Sequence, residues 1–301
     1  GELGDGTTAQ RLSASTPVLH PGDEPMFADA VATGRYHGCA LGRDGEVYCW
    51  GANLFGQLGR PGQGAYDPYS REVSLPQRAV ALSAGAFHTC AILSGGTVWC
   101  WGLNNKGQLG DGTFEGGPTP RQVFFPPGGL VGSVIEISAG WAHTCVIAQV
   151  EYNIRRVFCW GDNSTSQLGV TLPGGAEETS VPTRLTAFGP KANTSARVVH
   201  ISAGVASTCA RDDEDVLWCW GQNTHGQLGD PAAPSETPLA VRVLGLDPER
   251  RFLSRGASSH VCVVDEAREL QCWGSHSHGQ LGSGDPADTQ PHYLPEDVVW
   301  Q

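Results

Sequence analysis

Apolar residues in this chain fall in short runs cut by glycine-rich turns. Between residues 80 and 110, Val80-Ala81-Leu82-Ser83-Ala84-Gly85 reads as a strand ending on small residues, which suits close packing near a central axis. His88-Thr89-Cys90-Ala91-Ile92-Leu93 alternates as a second strand. Ser94-Gly95-Gly96 turns the chain, and Thr97-Val98-Trp99-Cys100-Trp101-Gly102 returns as a third. In an earlier copy Asp44-Gly45 takes the turn, a strong hairpin signal.

This unit is written five times. Its first cysteines stand at 39, 90, 145, 209 and 262, and each copy ends on Cys-Trp-Gly followed by a near-constant Asn-x-x-Gly-Gln-Leu-Gly tail. The spacing fits a four-stranded propeller blade with variable loops. The repeat cores span about 32–59, 80–110, 135–169, 199–229 and 251–282, within one propeller domain over 1–301. The opening Gly1-Glu2-Leu3-Gly4-Asp5-Gly6-Thr7 resembles Gly107–Thr113, the tail of a repeat, and Leu294–Val299 matches Leu75–Val80, where a repeat begins. Residues 1–7 and 294–301 are therefore expected to be parts of one split or incomplete blade. A six-bladed ring, a seven-bladed parent, or an open arc completed by another chain would each fit.

All ten cysteines belong to the repeat. Cys39 and Cys49 are equidistant from Asp44, and Cys90 and Cys100 from Gly95, so each pair can face across its hairpin at a separation that suits a disulfide. Cys145 and Cys159 have four more residues between them, an even lengthening that keeps both on one face. The expected bridges are Cys39–Cys49, Cys90–Cys100, Cys145–Cys159, Cys209–Cys219 and Cys262–Cys272; reduced buried cysteines are the alternative. A metal reading of His37-x-Cys39, His88-x-Cys90, His143-x-Cys145 and His260-x-Cys262 has no Cys-x-x-Cys to support it, and no metal or other cofactor is expected. Complete pairing points to an oxidising compartment: extracellular, cell-surface or periplasmic.

The string Ser-Ala-Gly-x-x-His-Thr-Cys, followed by Gly-x-Val-x-Cys-Trp-Gly-x-Asn-x-x-Gly-Gln-Leu-Gly, resembles the repeat of the regulator-of-chromosome-condensation family; Ser83–Gly110 carries it most fully. The resemblance covers essentially the whole chain and implies an all-β propeller of four-stranded blades, usually seven. Functions within that family differ. One member type is a nuclear exchange factor for a small GTPase, and another is a plant photoreceptor built on clustered tryptophans. A secreted β-lactamase inhibitor of propeller type is similar in architecture.

Charge and motifs narrow these classes. The net charge is −12, with only Arg155-Arg156 and Arg250-Arg251 as basic pairs, which disfavours nucleic acid and a chromatin-bound exchange factor. Arg35, Ala86 and Val205 stand where Trp141 sits in its copy, so no tryptophan cluster is expected. No apolar run is long enough for a membrane-spanning helix. Neither Gly-x-Ser-x-Gly nor His-Glu-x-x-His occurs, and the chain reads as a binder rather than an enzyme.

Recognition is sought where the copies disagree. Just after the small-residue turn lie Arg35-Tyr36, Ala86-Phe87, Trp141-Ala142, Val205-Ala206 and Ser258-Ser259. Arg35, Tyr36, Phe87 and Trp141 are candidate anchors near the end of the channel, and Tyr66 and Tyr69 are candidates on a long connection. Asn163 and Asn193 head glycosylation sequons; Asn193 lies in a loop, whereas Asn163 occupies the structural Asn position. The expected role is a protein-binding or scaffold propeller within a larger assembly, with a protein partner or self-association. The alternatives are a secreted enzyme inhibitor and a channel-mouth glycan hydrolase or lyase.

Overall fold

A computed structural model describes the chain except residues 11–16, 23, 63, 128–131, 152–153, 187, 189–197, 247–251, 255–257, 286–287 and 300–301. Asn193 lies outside the described residues.

Among the described residues, twenty strands form five four-stranded antiparallel sheets, each a simple meander in chain order. The first holds β1 (Ala28–Thr33), β2 (His37–Gly42), β3 (Val47–Ala52) and β4 (Tyr66–Val73). The second holds β5 (Ala79–Ala84), β6 (His88–Leu93), β7 (Val98–Gly102) and β8 (Gly117–Gln122). The third is made of β9 (Ser133–Ala139), β10 (His143–Glu151), β11 (Ile154–Asp162) and β12 (Glu178–Arg184). The fourth contains β13 (Val198–Ala203), β14 (Ser207–Asp212), β15 (Leu217–Gln222) and β16 (Glu236–Arg242). The fifth contains β17 (Phe252–Leu253), β18 (His260–Val264), β19 (Leu270–Gly274) and β20 (His292–Asp297).

The three strands read from the hydrophobic pattern are the first three of each sheet. β2 and β6 are buried along their whole length, because each is central in its sheet and covered on both faces. The fourth strand is polar and carries proline in every copy: Pro68, Pro118 and Pro120, Pro182, Pro238, Pro295. A proline removes a backbone donor, so it belongs on an edge, where it also discourages strand recruitment.

Cysteine pairing follows from register. Cys39↔Cys49, Cys90↔Cys100, Cys145↔Cys159, Cys209↔Cys219 and Cys262↔Cys272 are directly opposed in their hairpins. All five are disulfides, and no free cysteine remains. The longer β10–β11 hairpin preserves the register, as the even insertion requires.

The apolar core lies between sheets rather than within one. Cys39, Cys49, Leu58 and Val73 of the first sheet pack on Leu82, Leu93 and Trp101 of the second. The same construction joins the second to the third, the third to the fourth and the fourth to the fifth. Each Cys-Trp-Gly tryptophan is the hinge pin of its interface. Its Nε1–H donates to the Gln carbonyl of the preceding tail: Trp101 to Gln57 (2.9 Å), Trp160 to Gln108 (2.9 Å), Trp220 to Gln167 (3.0 Å) and Trp273 to Gln227 (3.1 Å).

The segment from Gly1 to Gly6 stands against the first sheet as such a tail. Trp50 Nε1 donates to Glu2 O at 3.0 Å, and a Cβ on Gly4 would meet the Trp50 ring just as one on Gly110 would meet Trp160. The reading of 294–301 as the start of a new repeat is corrected. Leu294–Asp297 belong to β20, the outer strand of the fifth sheet, and Val298 N–H bonds Leu270 O as Val243 bonds Leu217 O and Val123 bonds Val98 O. Both segments read Leu-Pro-x-x-x-Val, but Pro295 is an edge-strand proline whereas Pro76 lies in a connection.

Candidate functional site

In the first four sheets the turn joining the first two strands bends beside a glycine: Gly34, Gly85, Gly140 and Gly204. A Cβ on Gly34, Gly85 or Gly140 would collide with the imidazole three residues on and with a carbonyl of the next sheet. These turns are linked from sheet to sheet through the main chain. Arg35 N–H donates to Ala86 O (3.2 Å), Ala86 to Trp141 O (3.3 Å), Trp141 to Gly204 O (3.1 Å) and Val205 to Ser258 O (2.9 Å). The backbone thus fixes a rim on which the side chains are free to vary.

Beneath the rim lies a buried polar relay. Thr89 Oγ1 donates to Gln57 O, so it accepts from His37 Nε2 at 2.9 Å. His88 with Thr144 (2.9 Å) and His143 with Thr208 (3.0 Å) repeat the arrangement. This fixes the Nε2–H tautomer and leaves each Nδ1 without a hydrogen-bond partner. Burial, which penalises the charged ring, holds His37 and His143 down to about 4 and His88 to about 3, with His143 and His37 adding to the effect on His88. All three are interblade struts.

Four of the candidate anchors meet on the rim. Phe87 is central, its ring 6.2 Å from Tyr36 and 6.1 Å edge-on to Trp141. The Arg35 guanidinium lies 5.0 Å from the centroid of Tyr36 and 4.8 Å from that of Trp141. Such cation–π contacts draw the guanidinium over the ring faces. Arg35 and Tyr36 are exposed, while Phe87 and Trp141 are half-buried.

Phe55 completes the cluster at 5.2 Å from Phe87, and sequence reasoning missed it. Its signal was present: Leu54-Phe55 fill the two variable positions of the Asn-x-x-Gly turn, where other copies carry Asn105-Lys106, Thr224-His225 and Ser277-His278. Leu54 is 73% exposed and Phe55 40%. Beside them opens a groove of ≈450 Å³, with Gly116, Gly117 and Pro118 on its far side. Tyr66 and Tyr69 sit on β4, apart from this ring cluster: Tyr66 is exposed, and the Tyr69 ring covers Gly6. Asn163 supports its own turn, accepting from Leu168 N–H and donating Nδ2, the glycan attachment atom, to Val170 O.

Two further clusters were not read from sequence. Glu136 on β9 pairs with His200 on β13 at 2.5 Å, accepts from Ile201 N–H, and leaves His200 Nε2 against Leu253 O. This carboxylate–imidazole pair ties three sheets together.

In the fifth sheet His276 replaces the usual Asn, and its Nδ1 accepts from Leu281 N–H at 3.1 Å as Asn53 Oδ1 accepts from Leu58. His276, Asp288 and His292 offer ligand atoms within 4.8 Å of one another. Nδ1 is occupied as an acceptor, so the proton stays on Nε2, the nitrogen facing Ser283 and Asp288, and that nitrogen has no lone pair for a metal. The Asp288 carboxyl is held low first by Gln290 N–H and then by His292.

The comparisons agree with this architecture. The RCC1-like domain model matches residues 1–300. RUG3, a mitochondrial RCC1 domain-containing protein of Arabidopsis thaliana, is 31% identical over 79% of this chain and 53% of its own length. The E3 ubiquitin-protein ligase HERC2 of Homo sapiens is 28% identical over 94% of this chain, which spans only 6% of that protein. Yeast RCC1 (Prp20), solved bound to Kap60, superposes with a TM-score of 0.73 at 20% identity, covering 89% of this chain and 63% of that one. Five disulfide-bearing meander sheets, the tryptophan-to-tail hydrogen bonds and a match across 1–300 make one conclusion: the chain belongs to the RCC1-like domain family.

Proposed function

We propose that this propeller binds another protein through the Arg35–Tyr36–Phe55–Phe87–Trp141 rim, as a scaffold or accessory subunit in an extracellular, cell-surface or periplasmic assembly. The observation that carries the reading is the arginine–aromatic cluster, part exposed and part half-buried, at positions where the repeats differ. Aromatic and arginine side chains dominate the centres of protein interfaces, and a rigid frame lowers the ordering cost of presenting them. Five disulfides support the oxidising location.

A photo-crosslinking phenylalanine at position 55, compared with one at Asp44 on the opposite hairpin tip, tests the binding surface in the native compartment. Discrete protein adducts from 55 alone are expected, and they diminish with Phe87→Ala. Equal adducts from both positions, or none from 55, refute the surface. Cysteines that can be alkylated before reduction in intact cells refute the location. An enzyme among the adducts would narrow the role to inhibition. A hydrolase or lyase would need a free acid–base pair at the channel mouth, whereas Glu136 and His200 are engaged in joining sheets.

A further inference from the structure

Arg35 differs from the other cations near it. Arg60 and Arg71 are paired with Asp67, and Lys106, which occupies the Phe55 position of the next repeat, reaches Glu178 (2.6 Å) and Asp162 (3.8 Å). Arg35 has no carboxylate partner among the described residues. Its guanidinium lies over two rings, Tyr36 and Trp141.

A guanidinium seated over two ring faces and without a carboxylate partner keeps N–H donors for a ligand, and its planar fork fits a carboxylate through two parallel hydrogen bonds. The surroundings sharpen this geometry. Phe87 and then Phe55 continue the apolar floor away from Arg35, and the floor ends at the ≈450 Å³ groove beside Leu54 and Phe55. A bound segment would therefore meet a cation first, then rings, then a trough walled by Gly116, Gly117 and Pro118, where main chain can approach closely.

From this geometry we infer that the rim recognises an extended peptide segment in which an Asp or Glu side chain is flanked on one side by bulky apolar residues. The carboxylate seats on Arg35, the apolar side chains lie over Phe87 and Phe55, and the backbone enters the groove. The overall charge of −12 does not forbid an acidic partner, since exposed charges are screened over about 8 Å at physiological salt. The inference rests on the rim being a protein-binding surface and adds the chemistry of the partner.

Three libraries of capped ten-residue peptides test it on the intact protein with its disulfides formed. One fixes a central Asp or Glu among randomised neighbours, and the second carries Asn or Gln at that place. The third has no charged side chain but a free C-terminal carboxylate. The first library is expected to be retained about ten- to a hundredfold better than the second, with apolar residues enriched on one side of the carboxylate. Arg35→Gln is expected to erase that preference without moving the thermal unfolding midpoint, and Arg35→Lys to restore only part of it.

Preferential retention of the third library overturns the side-chain assignment, as does full restoration by Arg35→Lys for the stacked-fork geometry. Equal retention of the first two libraries, with both lost in Phe55→Ala, overturns the carboxylate inference while leaving the rim a binding surface. Retention of none of the three overturns it as well.

Discussion

Acid should destabilise this protein through His37, His88 and His143. An unfolded histidine takes a proton near 6.5, while in the fold His37 and His143 do so only near 4 and His88 near 3. As pH falls below 6.5 the unfolded state binds more protons, so the linkage removes stability; the loss grows until the folded values are reached. At pH 5 the gap to 6.5 converts to about 2 kcal/mol per histidine, and the folded values are low enough that their exact positions matter little. Three such rings give about 6 kcal/mol, a large part of a typical domain stability of about 5–15 kcal/mol. The structural cause is that a second proton would land on Nδ1, which is buried and faces no acceptor.

Asp111 does not add to this window: burial pushes its carboxyl up, but Arg121 and Thr113 outweigh that and hold it below the ordinary carboxylate value. Urea unfolding at pH 7.5 and pH 5, under oxidising conditions, measures the loss. His88→Gln keeps an N–H donor for Thr144 and removes one titration, so the pH-dependent loss should shrink by about 2 kcal/mol. The reasoning fails if wild type loses less than about 2 kcal/mol over this range, or if His88→Gln retains the full dependence.

Other outcomes follow from single contacts. Trp160→Phe removes one of the two buried donors to the Gln108 carbonyl, Thr144 Oγ1 keeping the other, and should cost about 0.5–1.5 kcal/mol in equilibrium unfolding. Replacing Cys90 and Cys100 together with alanine opens a short loop, for which the chain-entropy model gives a loss of about 3 kcal/mol; intact mass should meanwhile show the other four bridges retained. Gly110→Ala combines a φ of 69° with a Cβ only 2.6 Å from Trp160 Nε1, and should lower the thermal midpoint more than Gly117→Ala, where the Cβ meets nothing within 4 Å.

Much of the fold was legible because the repeat makes the same physical demand five times. The apolar first strand, the alternating second and the Cys-Trp-Gly third are buried between sheets, so the pattern records them. The cysteine register followed from counting residues about a turn. The fourth strand was harder to see: Glu236–Arg242 or Gly117–Gln122 sits on an edge, half solvated and broken by proline, and leaves little hydrophobic signature. The same weakness misled the alignment of Leu294–Val299. At the rim, Arg35, Tyr36, Phe87 and Trp141 became candidates by asking where copies differ, and their side chains lie together. Phe55 lay in a second variable position, and its nearness to Phe87 depends on the first sheet's tail packing on the second, where Trp101 Nε1 and Thr89 Oγ1 donate to Gln57 O, a contact that no linear pattern encodes.

The main-chain bonds that run from Arg35 to Ala86, Trp141, Gly204 and Ser258 use only atoms that almost every amino acid possesses. The mouth of the propeller therefore keeps its shape whichever side chains it bears. Two positions in each blade behave like movable type in a locked frame. Specificity there can be rewritten one letter at a time, with the fold indifferent to the text.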